Sequence, residues 1–231
     1  MLSDTSTLYA TQTAFIAFGA IATLGAVLVA LFGPIWHEAR RRPRLSLEFH
    51  ADTDDMVLSY TGEPQDGEWL FVRLRVVNGK GRRTAHDVEV WMLDIVGDDG
   101  APHRAPARTL KWAGRPDHML PSLHSGMPRR VDLAEVRRPR EPAEALFLAV
   151  PYHPVVDPPV LLPAAHYRFH LLVTAEDVEA RSYALDLTLD SSLDIKASDR
   201  LKRYLTVKGL RQTSSPTVRE ALPDPGAVRA K

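Results

Sequence analysis

Trp69-Leu70-Phe71-Val72-Arg73-Leu74-Arg75-Val76-Val77 sets Leu70, Val72, Leu74 and Val76 at alternate positions, with Arg73 and Arg75 between them. Successive side chains of a strand point to opposite faces, so this stretch reads as a strand with one buried and one wetted face. After Asn78-Gly79-Lys80-Gly81-Arg82-Arg83-Thr84-Ala85, which is turn-forming and basic, the same period returns: Val88, Val90 and Met92 alternate with Asp87, Glu89 and Trp91. Two such runs around an Asn-Gly turn predict a hairpin. Gly97-Asp98-Asp99-Gly100 then closes the second strand.

The pattern repeats on both sides. Leu45-Ser46-Leu47-Glu48-Phe49 alternates, Asp52, Asp54 and Asp55 mark a polar turn, residues 56–60 form a short strand, and residues 61–67 form a loop. Further strands are expected at 109–112, 129–133 and 146–150. A second hairpin pairs Tyr167, Phe169, Leu171 and Val173 with Tyr183, Leu185, Leu187 and Leu189 across a turn near Glu176-Asp177. Pro151, Pro154, Pro158, Pro159 and Pro163 mark a rigid extended loop. Residues 198–205 read as a short helix capped by Ser198, or as an irregular connection into a final strand at 205–210. Many short strands without a long amphipathic helix between them predict an all-β antiparallel sandwich.

N-terminal to the sandwich, residues 11–32 run TQTAFIAFGAIATLGAVLVALF, about 33 Å as a helix and enough for a hydrocarbon core of about 30 Å. A cleaved signal peptide would need a basic N-terminal flank and small residues before the cleavage site. Here the flank carries only Asp4, and the run ends in Phe32-Gly33-Pro34-Ile35-Trp36, followed by Arg40, Arg41, Arg42 and Arg44. It therefore reads as a transmembrane helix, with Tyr9 and Trp36 as interfacial anchors and Pro34 at the end of the regular helix. Positive charge favours the cytoplasmic side, which predicts a single-pass inner-membrane topology with the N-terminus outside and residues 37–231 inside. The arginines also suit anionic headgroups. Gly19, Ala22, Gly25, Ala26 and Ala30 make a small-residue face suited to helix–helix association. The expected organisation is a tail at 1–10, a transmembrane helix at 11–36, a basic linker at 37–44, the sandwich at 45–210 and a disordered polar tail at 211–231.

Lys plus Arg and Asp plus Glu both number 29, so no global basic field points to nucleic acid. The absence of cysteine excludes disulfides, thiol catalysis and thiolate metal sites. A bias to Arg, Ala and Pro over Lys suggests a bacterial source with a GC-rich genome.

Nine histidines invite a metal reading, yet His166 and His170 would lie about 13 Å apart on one strand face. His118, His124 and His153 sit in loop-like segments. The aspartates at 52–55 lack the glycine and closing glutamate of a calcium loop, and neither a nucleophile elbow nor a phosphate loop is present. No catalytic, cofactor or metal residue is therefore expected. Lys80, Arg82, Arg83 and Trp91 form the expected partner surface, since tryptophan is favoured at interface hot spots.

Residues 73–79 followed by 84–90, a strand, an Asn-Gly turn and an Ala-x-x-Val-x-Val strand, resemble bacterial immunoglobulin-like and adhesion-related sandwich domains. Residues 161–169 are similar to the small-residue turn, Tyr and alternating strand near the end of such domains. The resemblance implies the fold and an interaction role. The function expected is a membrane-anchored module that tethers a protein partner. The alternatives are an extracytoplasmic adhesion or envelope-binding module in the reverse topology, and a membrane-bound hydrolase built on loop His and Asp residues.

Overall fold

The computed structural model describes residues 4–51, 55–60, 68–100, 102–103, 107–115, 117–138, 146–150, 160–190 and 201–213. It divides into two units, 1–42 and 43–231. In the first, helix α1 spans Asp4–Arg41. It passes through Pro34 and ends five residues beyond Trp36, so the helix does not stop at the proline and most of the expected linker is helical. Proline forfeits one backbone hydrogen bond, and the rest of the ladder carries the helix on.

The second unit holds two antiparallel sheets. One contains β1 (Leu45–Glu48), β2 (Met56–Tyr60), β3 (Glu68–Asn78), β7 (Lys111–Trp112), β9 (Arg129–Arg138), β10 (Phe147–Val150) and β11 (Val160–Pro163) in the path β1-β3-β9-β10-β11. The other contains β4 (Ala85–Gly97), β5 (Pro102–His103), β6 (Arg108–Thr109), β8 (Leu120–Leu123), β12 (His166–Ala175), β13 (Val178–Leu189) and β14 (Leu205–Thr213) in the path β14-β13-β12-β4-β5. Both sheets send side chains into one core, in which Leu70, Val72, Leu74 and Val76 from β3 meet Val88, Val90 and Met92 from β4, all of them fully buried. Each such side chain contributes about 1.5–3 kcal/mol of transfer free energy.

The first expected hairpin is not one. β3 pairs with β1, β2 and β9, whereas β4 pairs with β12 and lies in the opposite sheet. The alternation placed the apolar faces correctly, because period 2 is set by the backbone alone. Which strand a face pairs with depends on the connection, and residues 79–84 carry the chain across the sandwich. The second hairpin forms as expected: Tyr167 pairs with Leu187, Phe169 with Leu185 and Leu171 with Tyr183.

Strand β4 stays in phase past Met92 only through a bulge, since His170 pairs with Asp94 while Leu171 pairs with Met92. The extra residue turns Ile95 inward and Asp94 outward. The expected strand at 109–112 divides between the sheets: β6 pairs with β4 and β7 with β9, with Leu110 bonded to the Val90 carbonyl at the crossing. The crossing buries Trp112, whose indole N–H donates to the His118 carbonyl at 3.0 Å. Residues 201–204 form one 3-10 turn and lead into β14, so the final-strand alternative is the one adopted, and the strand reaches Thr213. Pro163 closes edge strand β11 rather than lying in a loop. Pro151, Pro154, Pro158, Pro159, His153, Ser198 and the loop at 61–67 lie outside the described residues.

Candidate functional site

Residues Phe18–Arg41 are long and apolar enough to cross a membrane, and none of that window is buried. Phe18, Ile21, Leu24, Val29, Ile35 and Trp36 are all more than three-fifths exposed, a pattern opposite to that of a core helix. The small face is open as well, with no atom within 4 Å of a Cβ built at Gly19 or Gly25. Ala22, Ala26 and Ala30 are likewise exposed. Arg40 stacks over the Trp36 ring at 4.2 Å, which joins the aromatic anchor to the cationic flank one turn later. Arg41, Arg42 and Arg44 are exposed.

Where the chain enters the second unit, one buried side chain organises three segments. Asn78 accepts the Arg44 amide at 3.1 Å and donates through Nδ2 to the carbonyls of Arg83 at 2.7 Å and Leu123 at 3.1 Å. Its own carbonyl accepts the Gly126 amide at 2.8 Å, and the Gly79 amide donates to Arg44 at 3.1 Å. Ser125 Oγ donates to the Gly79 carbonyl at 2.9 Å. The basic turn of Lys80, Arg82 and Arg83 is thus rooted beside Arg44 and packed against residues 123–126. Sequence reading placed the turn but missed the hub, whose signal was an Asn that no period-2 pattern requires.

Next to it lies a cleft of about 130 Å³ lined by Arg115, Ser122, His124, Met127 and Arg129 among others, with no acidic side chain among the described residues that line it. His124 Nδ1 lies 3.1 Å from Thr84 Oγ1. Met127 is 57 % exposed.

Trp91 is half-buried rather than open, and its Nε1 donates to Glu89 Oε2 at 3.1 Å. Its register partner Leu172 is buried although it lies outside the main core. The outer face of that sheet also carries charge. His170 meets Asp94, His166 Nδ1 lies 2.8 Å from Asp98 Oδ1, and Arg168 Nε lies 2.7 Å from Asp186 Oδ1. The hydrogen bond to Asp94 holds the His170 imidazole above its usual pKa against the opposing effect of burial. His166 and His170 therefore engage separate carboxylates.

On the opposite sheet, Asp55 is fully buried and belongs to an ion network rather than a solvated turn. It accepts Arg75 Nε at 2.8 Å, Arg130 Nε at 3.0 Å and the His50 amide at 3.0 Å. Burial works to raise its carboxyl pKa, and these three donors together carry it below the ordinary aspartate value. Asp52 and Asp54 lie outside the described residues. Among the described residues no three His, Asp or Glu side chains are placed to share a metal ion. His118 Nδ1 lies 3.2 Å from the Thr109 carbonyl.

No protein-family model matches the chain, and neither a curated protein nor a solved structure is detectably similar to it.

Proposed function

We propose that this chain is a single-pass bacterial inner-membrane protein, N-terminus outside, whose cytoplasmic immunoglobulin-like sandwich tethers a protein partner at the bilayer. The observation that carries the reading is the exposed apolar helix joined to a folded β domain whose first strand begins at Leu45, four residues after the helix ends. Confinement this close to the membrane raises the effective concentration of the domain for other membrane components, which is the physical content of tethering. The orientation rests on Arg40, Arg41, Arg42 and Arg44 lying on one side of the apolar run.

The immunoglobulin-like reading draws support from Tyr167. Its hydroxyl donates to the Pro163 carbonyl at 2.7 Å, at the corner where the chain passes from β11 in one sheet to β12 in the other, as a tyrosine corner does. The partner surface is the half-open Trp91 indole, flanked by the charged outer face of the sheet. Edge strand β14, with Lys208 and Arg211, offers backbone groups for strand addition. The small-residue face of α1 supplies a second contact, to another membrane helix.

The test joins two measurements on the full chain. Reporters fused after Lys231 that work only in the cytoplasm should be active, and proximity labelling from the same terminus should enrich an inner-membrane protein whose recovery falls on Trp91→Ala. Activity only of the extracytoplasmic reporter would overturn the orientation and favour the adhesion reading suggested by the resemblance. Recovery unchanged by Trp91→Ala and by charge reversal on β14 would remove those surfaces.

A further inference from the structure

Three stretches distant in sequence, 40–47, 79–86 and 118–130, contain no acidic residue. The fold brings the last two against Arg44 through the Asn78 hub, so that Arg44, Lys80, Arg82, Arg83 and Arg129 gather at one end of the sandwich. The two loops touch: the Lys80 stem lies 3.5 Å from where a Cβ on Gly126 would sit. Met127, more than half exposed, stands beside these cations, and the acid-free cleft opens between Arg115, Ser122, His124 and Arg129. Acids border this end as well, with Asp117 exposed two residues after the cleft-lining Arg115. Glu176 and Asp177 occupy the β12–β13 turn, held to β4 by the Glu176 amide bonding to the His86 carbonyl at 3.0 Å, with Asp87 next to it.

Chain connectivity limits how far this end can be from a bilayer. Arg44 follows the interfacial Trp36 by five helical residues and three extended ones, at most about 18 Å of chain, or about two screening lengths of 8–10 Å. Headgroups are therefore the anionic surface that this end meets at the highest local concentration. Arginine, serine and imidazole are donors suited to a phosphate, and an exposed thioether suits the boundary between headgroups and acyl chains.

We propose that the Lys80–Arg83 turn and the 124–129 loop form a lipid-contact face, on which the sandwich leans against anionic phospholipids. Met127 enters the headgroup layer and the neighbouring cleft receives a lipid phosphate. The inference rests on the membrane anchor of the proposed function and is independent of the protein partner.

The chain has no cysteine, so Met127→Cys, Leu161→Cys and Leu24→Cys each place a polarity-sensitive dye at one position of the full-length protein. Leu161, as exposed as Met127, lies on edge strand β11 at the far edge of its sheet. Each variant is reconstituted into phosphatidylcholine vesicles with or without phosphatidylglycerol, carrying quenchers at headgroup or acyl depth. The expected result is headgroup-depth quenching at 127 that requires phosphatidylglycerol, none at 161, and acyl-depth quenching at 24 in both. Each cation near an anionic surface is worth about a fivefold change in the docked population, so Lys80→Gln, Arg82→Gln and Arg83→Gln together should lower the docked-to-free ratio on the order of a hundredfold. Lys80 and Arg83 are exposed, Arg82 is half-buried, and none of the three belongs to the hydrophobic core. Quenching at 24 without quenching at 127 would overturn the lipid face while the anchor stands; quenching at neither would overturn both. Quenching at 127 that is equal without phosphatidylglycerol, equal to that at 161, or unchanged in the triple variant would also overturn the proposal.

Discussion

The Arg44 amide donates to the Oδ1 of Asn78 at 3.1 Å, which ties the point where the chain enters the β domain to the end of β3. The same side chain holds the carbonyls of Arg83 and Leu123, and it is fully buried. Asn78→Ala leaves these three backbone groups without that partner and should cost about 2–4 kcal/mol. Asn78→Asp should cost at least as much near neutral pH, because a carboxylate would then face two carbonyl oxygens. Denaturant unfolding of the full chain in detergent micelles checks both, and a loss within error of zero would show that the hub is dispensable.

Asp55 is expected to matter more for stability than any other aspartate described. Its side chain is 0 % exposed between Arg75 and Arg130, themselves 18 % and 33 % exposed. Removing one partner of a buried ion pair strands the others, so Asp55→Ala should destabilise by about 3 kcal/mol. The folded-state pKa is lowered. Its contribution is therefore present above the unfolded value of about 3.9 and is lost as pH falls through the folded value. Wild-type stability should decline on acidification over that window, and the decline should be shallower in Asp55→Ala.

His170 predicts the opposite slope. Its pKa is raised by Asp94. The contribution of this pair is complete below the unfolded histidine value of about 6.5 and fades as pH rises through the folded value. Both side chains are more than a third exposed, so the effect is small and weakened by salt. NMR titration of the imidazole should give a midpoint above that of a free histidine, and Asp94→Asn should bring it down.

Tyr167→Phe deletes only the hydroxyl that bonds to Pro163 at 2.7 Å. The ring stays buried between the sheets, so the expected loss is about 1–1.5 kcal/mol, read from the unfolding midpoint at unchanged denaturant slope. A larger loss with a changed slope would mean that the corner holds β11 in place.

Much of the β framework was legible because it follows from period 2. Leu70, Val72, Leu74 and Val76 had to share a face whatever they packed against, and so did Tyr167, Phe169, Leu171 and Val173. The second hairpin was legible as a pairing too, because a two-residue turn brings its strands directly side by side. Residues 78–85 are longer, and that freedom let β3 and β4 part into different sheets. The small devices were illegible for a related reason: the bulge that turns Ile95 inward and the split at Leu110 are answers to partners elsewhere in the chain.

The candidate surfaces divide in the same way. The basic turn and the arginine flank were visible as charges in a row, whereas the meeting of the turn and Arg44 with Met127 and the cleft depends on Asn78 bridging segments about 45 residues apart, a separation that its bond to Leu123 spans directly. Asp55 looked like one acid in a turn because nothing local announces Arg75 and Arg130 as its partners. Sequence alone determined the apolar helix, its charged flank and the inward faces of β3, β4, β12 and β13, since hydrophobic length and side-chain alternation are local properties of the chain. Tertiary structure alone decided which strands pair, which charges are buried and which loops share one end of the sandwich, because those outcomes depend on contacts between residues that the chain order keeps apart.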